Sequence, residues 1–120
     1  MGNYRNLDAW QASRTLAVVT YRLTETFPTM ERYGLTTQMR RAAVSIMSNI
    51  AEGTGRASDA QLRHFLQIAR GTLHELECQA ILAGDLDLMT EAQLTELNQA
   101  IRDSARPLQG LLRSLEQVPS

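Results

Sequence analysis

Four stretches of apolar residues recur at the three- and four-residue spacing of α-helices, and three short segments containing Gly or Pro separate them. This period places the apolar side chains of each stretch on one face of a helix. The four stretches fill the 120-residue chain and leave no room for a sheet. The sequence therefore predicts an all-α fold, an antiparallel up-down-up-down four-helix bundle, with residues 1–120 forming a single domain.

Helix boundaries follow from the breaker and capping residues. Pro28 disfavours helical geometry in the residue before it, and Gly53 begins a Gly-Thr-Gly segment that stops the second helix. Capping boxes, in which Ser or Thr is followed three residues later by Gln, open the third helix at Ser58 and the fourth at Thr90. Pro107 lies inside the fourth helix and predicts a kink in the preceding turn, the alternative being a break into two short helices. The predicted helices span about residues 7–26, 37–54, 58–83 and 91–117.

Composition and cysteine content bear on the compartment. The chain is 43% apolar and 21% charged, and its longest uninterrupted apolar runs, residues 16–19 and 80–83, are too short to span a bilayer. The N-terminus lacks the charged, apolar and small-residue regions of a signal peptide. Cys78 is the only cysteine, so no internal disulfide can form. We expect a cytoplasmic protein that does not bind a membrane.

The second and third predicted helices carry apolar residues beyond the stripe that faces the bundle interior. Gly71 is one of them, and glycine inside a helix costs about 1 kcal/mol relative to alanine, which suggests the close approach of another backbone. The alternative is that Gly71 is a tolerated weakness. Because several hundred Å² of exposed apolar surface would impair solubility, we expect a second copy of the chain to cover this face. The second apolar face comprises Val44, Met47, Ala51, Ile68, Gly71, Cys78 and Leu82.

A line of polar residues borders the apolar face of the second helix. At 100° per residue these side chains fall on one side of the helix, at spacings of three and four. They could form a hydrogen-bonded network with Glu75 or Glu77 of the third helix, either inside the bundle or at a subunit interface, because unpaired buried polar groups are costly. The alternative is a solvated helix face. The polar line comprises Gln38, Arg41, Ser45, Asn49 and Glu52.

Charge is distributed unevenly, although the net charge is only −1. Residues 1–70 contain nine Arg and five acidic residues, whereas residues 71–120 contain three Arg and eight acidic residues. Repeated around a ring, the Arg residues of the first part would form a belt able to bind RNA or DNA phosphates. The scarcity of aromatic residues for base stacking argues against this role. The candidate phosphate-binding residues are Arg40, Arg41, Arg56, Arg63 and Arg70.

No group of residues predicts catalysis, and we expect no metal and no cofactor. A di-iron bundle requires Glu-x-x-His, but Gln61 precedes His64 and Gly71 precedes His74 at that spacing. Cys78 has no neighbouring base or cation in the sequence and is interpreted as a packing residue. The chain is therefore predicted not to be an enzyme. An active site could arise only between subunits.

An ordered series of short motifs extends along the chain: Phe27-Pro28, Tyr33-Gly34-Leu35, Gln38-Met39-Arg40-Arg41-Ala42, Asn49-Ile50-Ala51-Glu52-Gly53 and Ile68-Ala69-Arg70-Gly71-Thr72 with Glu75-Leu76-Glu77. Together they resemble a bacterial four-helix bundle family named after proteins encoded in intervening sequences of 23S ribosomal RNA genes. The resemblance covers the chain from Asn6 to the end of the fourth helix. It implies an antiparallel bundle, assembly of five bundles into a ring, and no established enzyme activity.

The resemblance also suggests a relationship to accessory proteins of diversity-generating retroelements, which are strongly basic and associate with nucleic acid. The net charge of −1 departs from that group. We therefore predict a non-enzymatic, self-assembling interaction protein that forms a ring-like homo-oligomer, a pentamer by resemblance. The alternative prediction is an RNA- or DNA-associated accessory protein.

Overall fold

A computed structural model describes residues 3–31 and 34–116. Within these residues the chain forms four α-helices and two single 3₁₀ turns, Tyr4–Asn6 and Thr29–Glu31, and no strand. The predicted all-α, four-helix fold is confirmed. The α-helices are α1 (Asp8–Thr24), α2 (Leu35–Thr54), α3 (Asp59–Asp85) and α4 (Glu91–Glu116).

Both predicted capping boxes form, the second one completely. The Gln61 N–H donates to the Ser58 hydroxyl over 3.2 Å at the start of α3. Before α4, the Gln93 N–H donates to the Thr90 hydroxyl over 3.2 Å, and the Thr90 N–H donates to the Gln93 side chain over 2.8 Å. These bonds satisfy amide groups that have no partner in the first turn of a helix.

The observed helix ends differ by about two residues from the predicted ones. α2 begins earlier, at Leu35, whose N–H donates to the Glu31 carboxylate. α3 continues past Gly84, and the chain reverses instead at Asp87, which has a φ of 57°. Aspartate is one of the few residues other than glycine that adopt this left-handed conformation readily. The predicted end of the fourth helix at residue 117 lies outside the described residues.

Pro107 does not divide α4. The helix is continuous from Glu91 to Glu116, so the alternative of two short helices is wrong. Proline has no N–H to donate to the carbonyl of Asp103, and its ring crowds that carbonyl. The apolar stripe of α4, which is buried from Leu97 to Leu115, holds the helix together across this defect.

Each helix packs against its two neighbours in the chain order α1, α2, α3, α4, and α4 closes the arrangement against α1. The Arg40 guanidinium, near the start of α2, donates to the Thr24 hydroxyl at the end of α1 over 2.9 Å. Similarly, Arg63, near the start of α3, donates to the Leu115 carbonyl near the end of α4 over 3.3 Å. In each pair the start of one helix lies beside the end of the other, so α1 and α2 are antiparallel, and so are α3 and α4.

A single cluster of buried apolar side chains runs along the bundle axis and receives residues from all four helices. The predicted inward stripes supply it, so the helical periodicity identified the core correctly. No helix in residues 3–31 and 34–116 is long and apolar enough to cross a membrane. The largest completely buried apolar side chains are those of Leu16, Met39, Ile46, Ile50, Leu66, Leu76, Leu97 and Leu108.

Candidate functional site: exposed apolar surfaces of the bundle

The outer face of α3 carries a line of residues at alternating spacings of three and four, which we call the α3 seam: Ile68, Gly71, Glu75, Cys78 and Leu82. Every member of the α3 seam is exposed in the single chain. The side chains of Ile68 and Leu82 are 39% and 47% exposed. This spacing is that of the contact line in helix pairs that pack side by side.

Gly71 lies at the open centre of the α3 seam. Apart from its chain neighbours and the backbone of its own helix, a Cβ placed on Gly71 would meet no heavy atom within 4 Å. By contrast, a Cβ on Gly84 would lie 2.8 Å from Leu94 Cδ1, so Gly84 allows α3 and α4 to approach within the bundle. Packing inside the chain therefore explains the glycine at position 84 but not the one at position 71.

The predicted second apolar face of α2 is largely covered by the chain itself. Met47 and Ala51 are half-buried and pack against the core, because they lie on the flank of α2 that turns towards α1. Val44 stays exposed, at 40%. The predicted second apolar face is therefore two separate surfaces, one at Val44 on α2 and the other on α3.

Val44 belongs to an exposed patch that the sequence reasoning missed. Arg40, one turn before Val44, lies over the Tyr21 ring with 4.6 Å between its guanidinium carbon and the ring centroid. Val18 is one turn before Tyr21 on the same side of α1. We call Val18, Tyr21 and Val44 the α1–α2 patch; their exposed fractions are 63%, 44% and 40%. The outward position of Tyr21 depends on how α1 is rotated against α2.

The predicted polar line lies beside the junction of α2 and α3, and its members do not form one network. Asn49 donates to the Ser45 carbonyl and hydroxyl, over 2.8 and 3.0 Å. Glu52, in the last turn of α2, forms an ion pair with Arg56, which follows the end of the helix. These contacts are local to one helix.

Gln38, Arg41 and Glu75 line a shallow groove between α2 and α3, together with Gln79. Among the described residues, the first three have no hydrogen-bond or ion-pair partner, although Arg41 and Glu75 have opposite charges. The Oε1 atom of Gln79 is buried and also unpaired. The groove therefore offers unused donors and acceptors at its surface.

The five candidate phosphate-binding Arg residues are separated by the fold. Arg40 is tied to α1 through the Thr24 hydroxyl, the Tyr21 carbonyl and the Glu25 carboxylate. It lies sixteen residues before Arg56, which is about 24 Å along a helix. The single chain thus places these two guanidinium groups near opposite ends of the bundle.

The other four have different surroundings. Arg63 donates to a backbone carbonyl at the end of α4, and Arg56 lies over the Phe65 ring as well as pairing with Glu52. Arg41 faces the α2–α3 groove and Arg70 faces α4, on opposite flanks of α3. Only Arg41 and Arg70 have no partner among the described residues.

The described residues contain no group of three or more His, Cys, Asp or Glu side chains that could hold a metal ion. Cys78 is exposed rather than packed in the core, so its interpretation as a packing residue requires a second chain. His64 and His74 are exposed, and His64 contacts the edge of the Phe65 ring. No side chains in the described part of the bundle converge in a catalytic arrangement.

Comparison with known proteins gives a match at the level of the family. No curated protein matches the sequence. The family described as 23S rRNA-intervening sequence protein matches residues 5–110, which include most of all four helices. The name of that family states no catalytic activity. Because the match spans well over half of the sequence and the chain folds as a four-helix bundle, this protein belongs to the 23S rRNA-intervening sequence protein family.

Proposed function

We propose that this protein is a non-enzymatic, cytoplasmic interaction protein that assembles with copies of itself into a closed ring. The α3 seam forms one half of the subunit interface. The observation that supports the proposal most strongly is Gly71, a glycine inside a helix where an added Cβ would meet no atom of another helix within 4 Å, in the middle of a line of exposed side chains. A helix interior loses about 1 kcal/mol at such a position, and the close approach of a second backbone would compensate for it.

The α1–α2 patch is the surface that receives the α3 seam of the next copy. The large side chains of Val18, Tyr21 and Val44 complement the small residues Gly71 and Cys78. From residue 68 to residue 82 the α3 seam is about 21 Å long, which is enough for a helix to lie along it. Burying these two surfaces removes six exposed apolar or aromatic side chains and a glycine from water.

Charge complementarity favours the same pairing. Glu75, at the centre of the α3 seam, has no ion pair with any residue that the structure describes. Arg14 and Arg41 lie one helical turn from Val18 and Val44 respectively, and within residues 3–31 and 34–116 neither has an acidic partner. A buried carboxylate needs a cation, so contact between the two surfaces would select one register of the helices.

The positions of the two surfaces favour a ring rather than a filament. The α1–α2 patch lies on the side of the bundle that α1 and α2 form. The α3 seam lies on the outer face of α3, the next helix around the bundle. Head-to-tail contact between surfaces that are not opposite rotates each copy relative to the last, as a closed ring requires; a rotation that did not close would give an open filament. The number five comes from the family resemblance.

Neighbouring residues of α3 provide the test. Leu82 belongs to the α3 seam, whereas Ile81, 59% exposed, points to the α4 side. We expect Leu82→Asp to convert the assembly to smaller species at micromolar concentration, and the matched variant Ile81→Asp to assemble as the parent does. Gel filtration with light scattering measures the mass, and circular dichroism checks the fold. A monomeric parent protein, or equal effects of the two variants, would refute the proposal.

The alternative prediction, RNA or DNA binding, draws less support from the geometry. Of the five candidate Arg residues, three already bind carboxylates or carbonyls of the chain. Titration of a structured RNA at two salt concentrations tests this role, because phosphate contacts make affinity fall steeply with salt. A steep salt dependence that Arg41→Gln and Arg70→Gln reduce would favour the alternative.

A further inference from the structure

A second concave surface lies between α3 and α4, on the flank of α3 that faces away from α2. It consists of a deeper, partly enclosed pocket of about 140 Å³ and an adjoining open hollow of about 230 Å³. Arg70 and Gln109 line both parts, so the two are continuous. We call this surface the α3–α4 groove. The floor of the deeper pocket is apolar and includes Leu73, Ile101 and Leu108.

The rim of the α3–α4 groove is cationic overall. Three guanidinium groups, those of Arg70, Arg102 and Arg113, face two carboxylates, those of Glu77 and Glu116. Arg102 donates to the Gln99 side chain over 3.0 Å. Arg70 and Arg113 have no hydrogen bond or ion pair with any described residue, and both line the open hollow.

We infer that the α3–α4 groove binds a small aromatic anion, with its ring in the deeper pocket and its carboxylate or phosphate between Arg70 and Arg113. A cavity of about 150 Å³ is large enough for a benzene ring. The planar guanidinium group forms paired hydrogen bonds with carboxylates and phosphates alike. An apolar pocket with a few polar groups at its mouth is the usual form of a small-molecule site.

The charge of the rim limits the ligand to an anion. Glu116 occupies the same hollow as Arg70 and Arg113, so it competes with the ligand for these two cations. A neutral aromatic compound would fill the pocket but leave both guanidinium groups unused. An inorganic anion would pair with them but leave the apolar floor exposed to water. Only a ligand with both features uses the whole groove.

Ligand-detected saturation-transfer NMR on the full-length protein tests the inference with phenyl phosphate and phenylacetate. We expect saturable binding with a dissociation constant around one millimolar, as is usual for ligands of this size. The ratio of the two affinities identifies the preferred anion. Inorganic phosphate, added as a competitor, and benzyl alcohol should each bind at least about tenfold more weakly. If either binds as well as the aromatic anions, the inference is wrong.

Charge variants locate the site. The double variant Arg70→Gln, Arg113→Gln should weaken phenyl phosphate binding at least about tenfold, and Glu116→Gln should strengthen it. Arg106→Gln is the matched control, because Arg106 is an exposed residue of α4 outside the groove. An equal loss of affinity in the control, or unchanged affinity in the double variant, would contradict the inference.

The result is independent of assembly through the α3 seam. Leu82 does not line the α3–α4 groove, so Leu82→Asp should bind phenyl phosphate as the parent does. Loss of binding in that variant, with its helical content retained, would place the ligand in the subunit interface and overturn the assignment to this groove.

Discussion

Gly53 of α2 and Phe65 of α3 approach each other so closely that a Cβ added to the glycine would lie 2.9 Å from the Cβ of the phenylalanine. The same added atom would be 3.2 Å from Leu62 Cδ1. Real Cβ atoms are not found at the shorter distance, and the Cβ of Phe65 moves only with its backbone. The end of α2 therefore packs on the start of α3 at a separation that only glycine permits.

Replacement of this glycine should destabilise the bundle. We expect Gly53→Ala to lower the free energy of unfolding by about 1–2 kcal/mol, because overpacking outweighs the small gain in helix propensity in the last turn of α2. The measurement is urea denaturation monitored by circular dichroism. At an unchanged m value, the shift of the midpoint gives the change in the free energy of unfolding. A variant as stable as the parent would show that α2 and α3 can separate at little cost.

The opposite result is expected at Gly71, where an added Cβ meets open space. In the Leu82→Asp background, which separates folding from assembly, Gly71→Ala should raise the free energy of unfolding by about 0.5–1 kcal/mol. With an otherwise unchanged sequence, Gly71→Leu should prevent assembly, because a large side chain keeps a second helix away. Light scattering gives the mass; full assembly of Gly71→Leu would contradict the proposed close approach.

Adjacent arginines in α2 should differ in their contribution to stability. Arg40 donates to Thr24, Tyr21 and Glu25 and lies over the Tyr21 ring. Its replacement by Ala should lower the free energy of unfolding by about 1–3 kcal/mol. Arg41→Ala is the matched control and, with both variants made in the Leu82→Asp background that prevents assembly, should change it by less than about 0.5 kcal/mol. Thermal or urea unfolding compares the two, and equal losses would mean that the contacts of Arg40 with α1 contribute nothing.

The pairing of Glu75 with the next subunit can be tested by charge reversal. We expect Glu75→Arg to weaken assembly at least about tenfold, because it places like charges together at the interface. Adding Arg14→Glu or Arg41→Glu should restore assembly and identify the partner of Glu75. Glu77→Arg, whose side chain lies on the α4 flank, is the control and should assemble normally. Analytical ultracentrifugation measures the masses; failure of both double variants to recover would refute this pairing.

Replacement of Pro107 should stabilise α4. The helix is continuous through this residue without the hydrogen bond that its N–H would make. Pro107→Ala restores a donor for the Asp103 carbonyl, and we expect it to raise the free energy of unfolding by about 1–3 kcal/mol. Gly110→Ala, where an added Cβ has open space, is expected to gain no more than about 1 kcal/mol. A proline variant no more stable than the parent would indicate that α4 needs its irregular backbone for packing.

Local features of the sequence predicted local features of the fold. The capping boxes at Ser58 and Thr90 form because their hydrogen bonds join residues three positions apart. The prediction that α3 ends before Gly84 was wrong, because this glycine makes room for Leu94 of α4 and does not reverse the chain. A sequence position alone does not distinguish a glycine that ends a helix from one that packs against another.

The apolar period by itself determined the four helices, their inward faces and, with the short connections, the bundle. These depend on a 3.6-residue repeat that each helix carries independently. Tertiary structure alone decided that Met47 is covered while Val44 is exposed. It also decided that Arg40 and Arg63 bind neighbouring helices, whereas the side chains of Arg41 and Arg70 have no partner in the described part of the chain. The physical reason is that the rotation of each helix about its own axis is set by the packing of the whole core, which joins side chains far apart in the sequence.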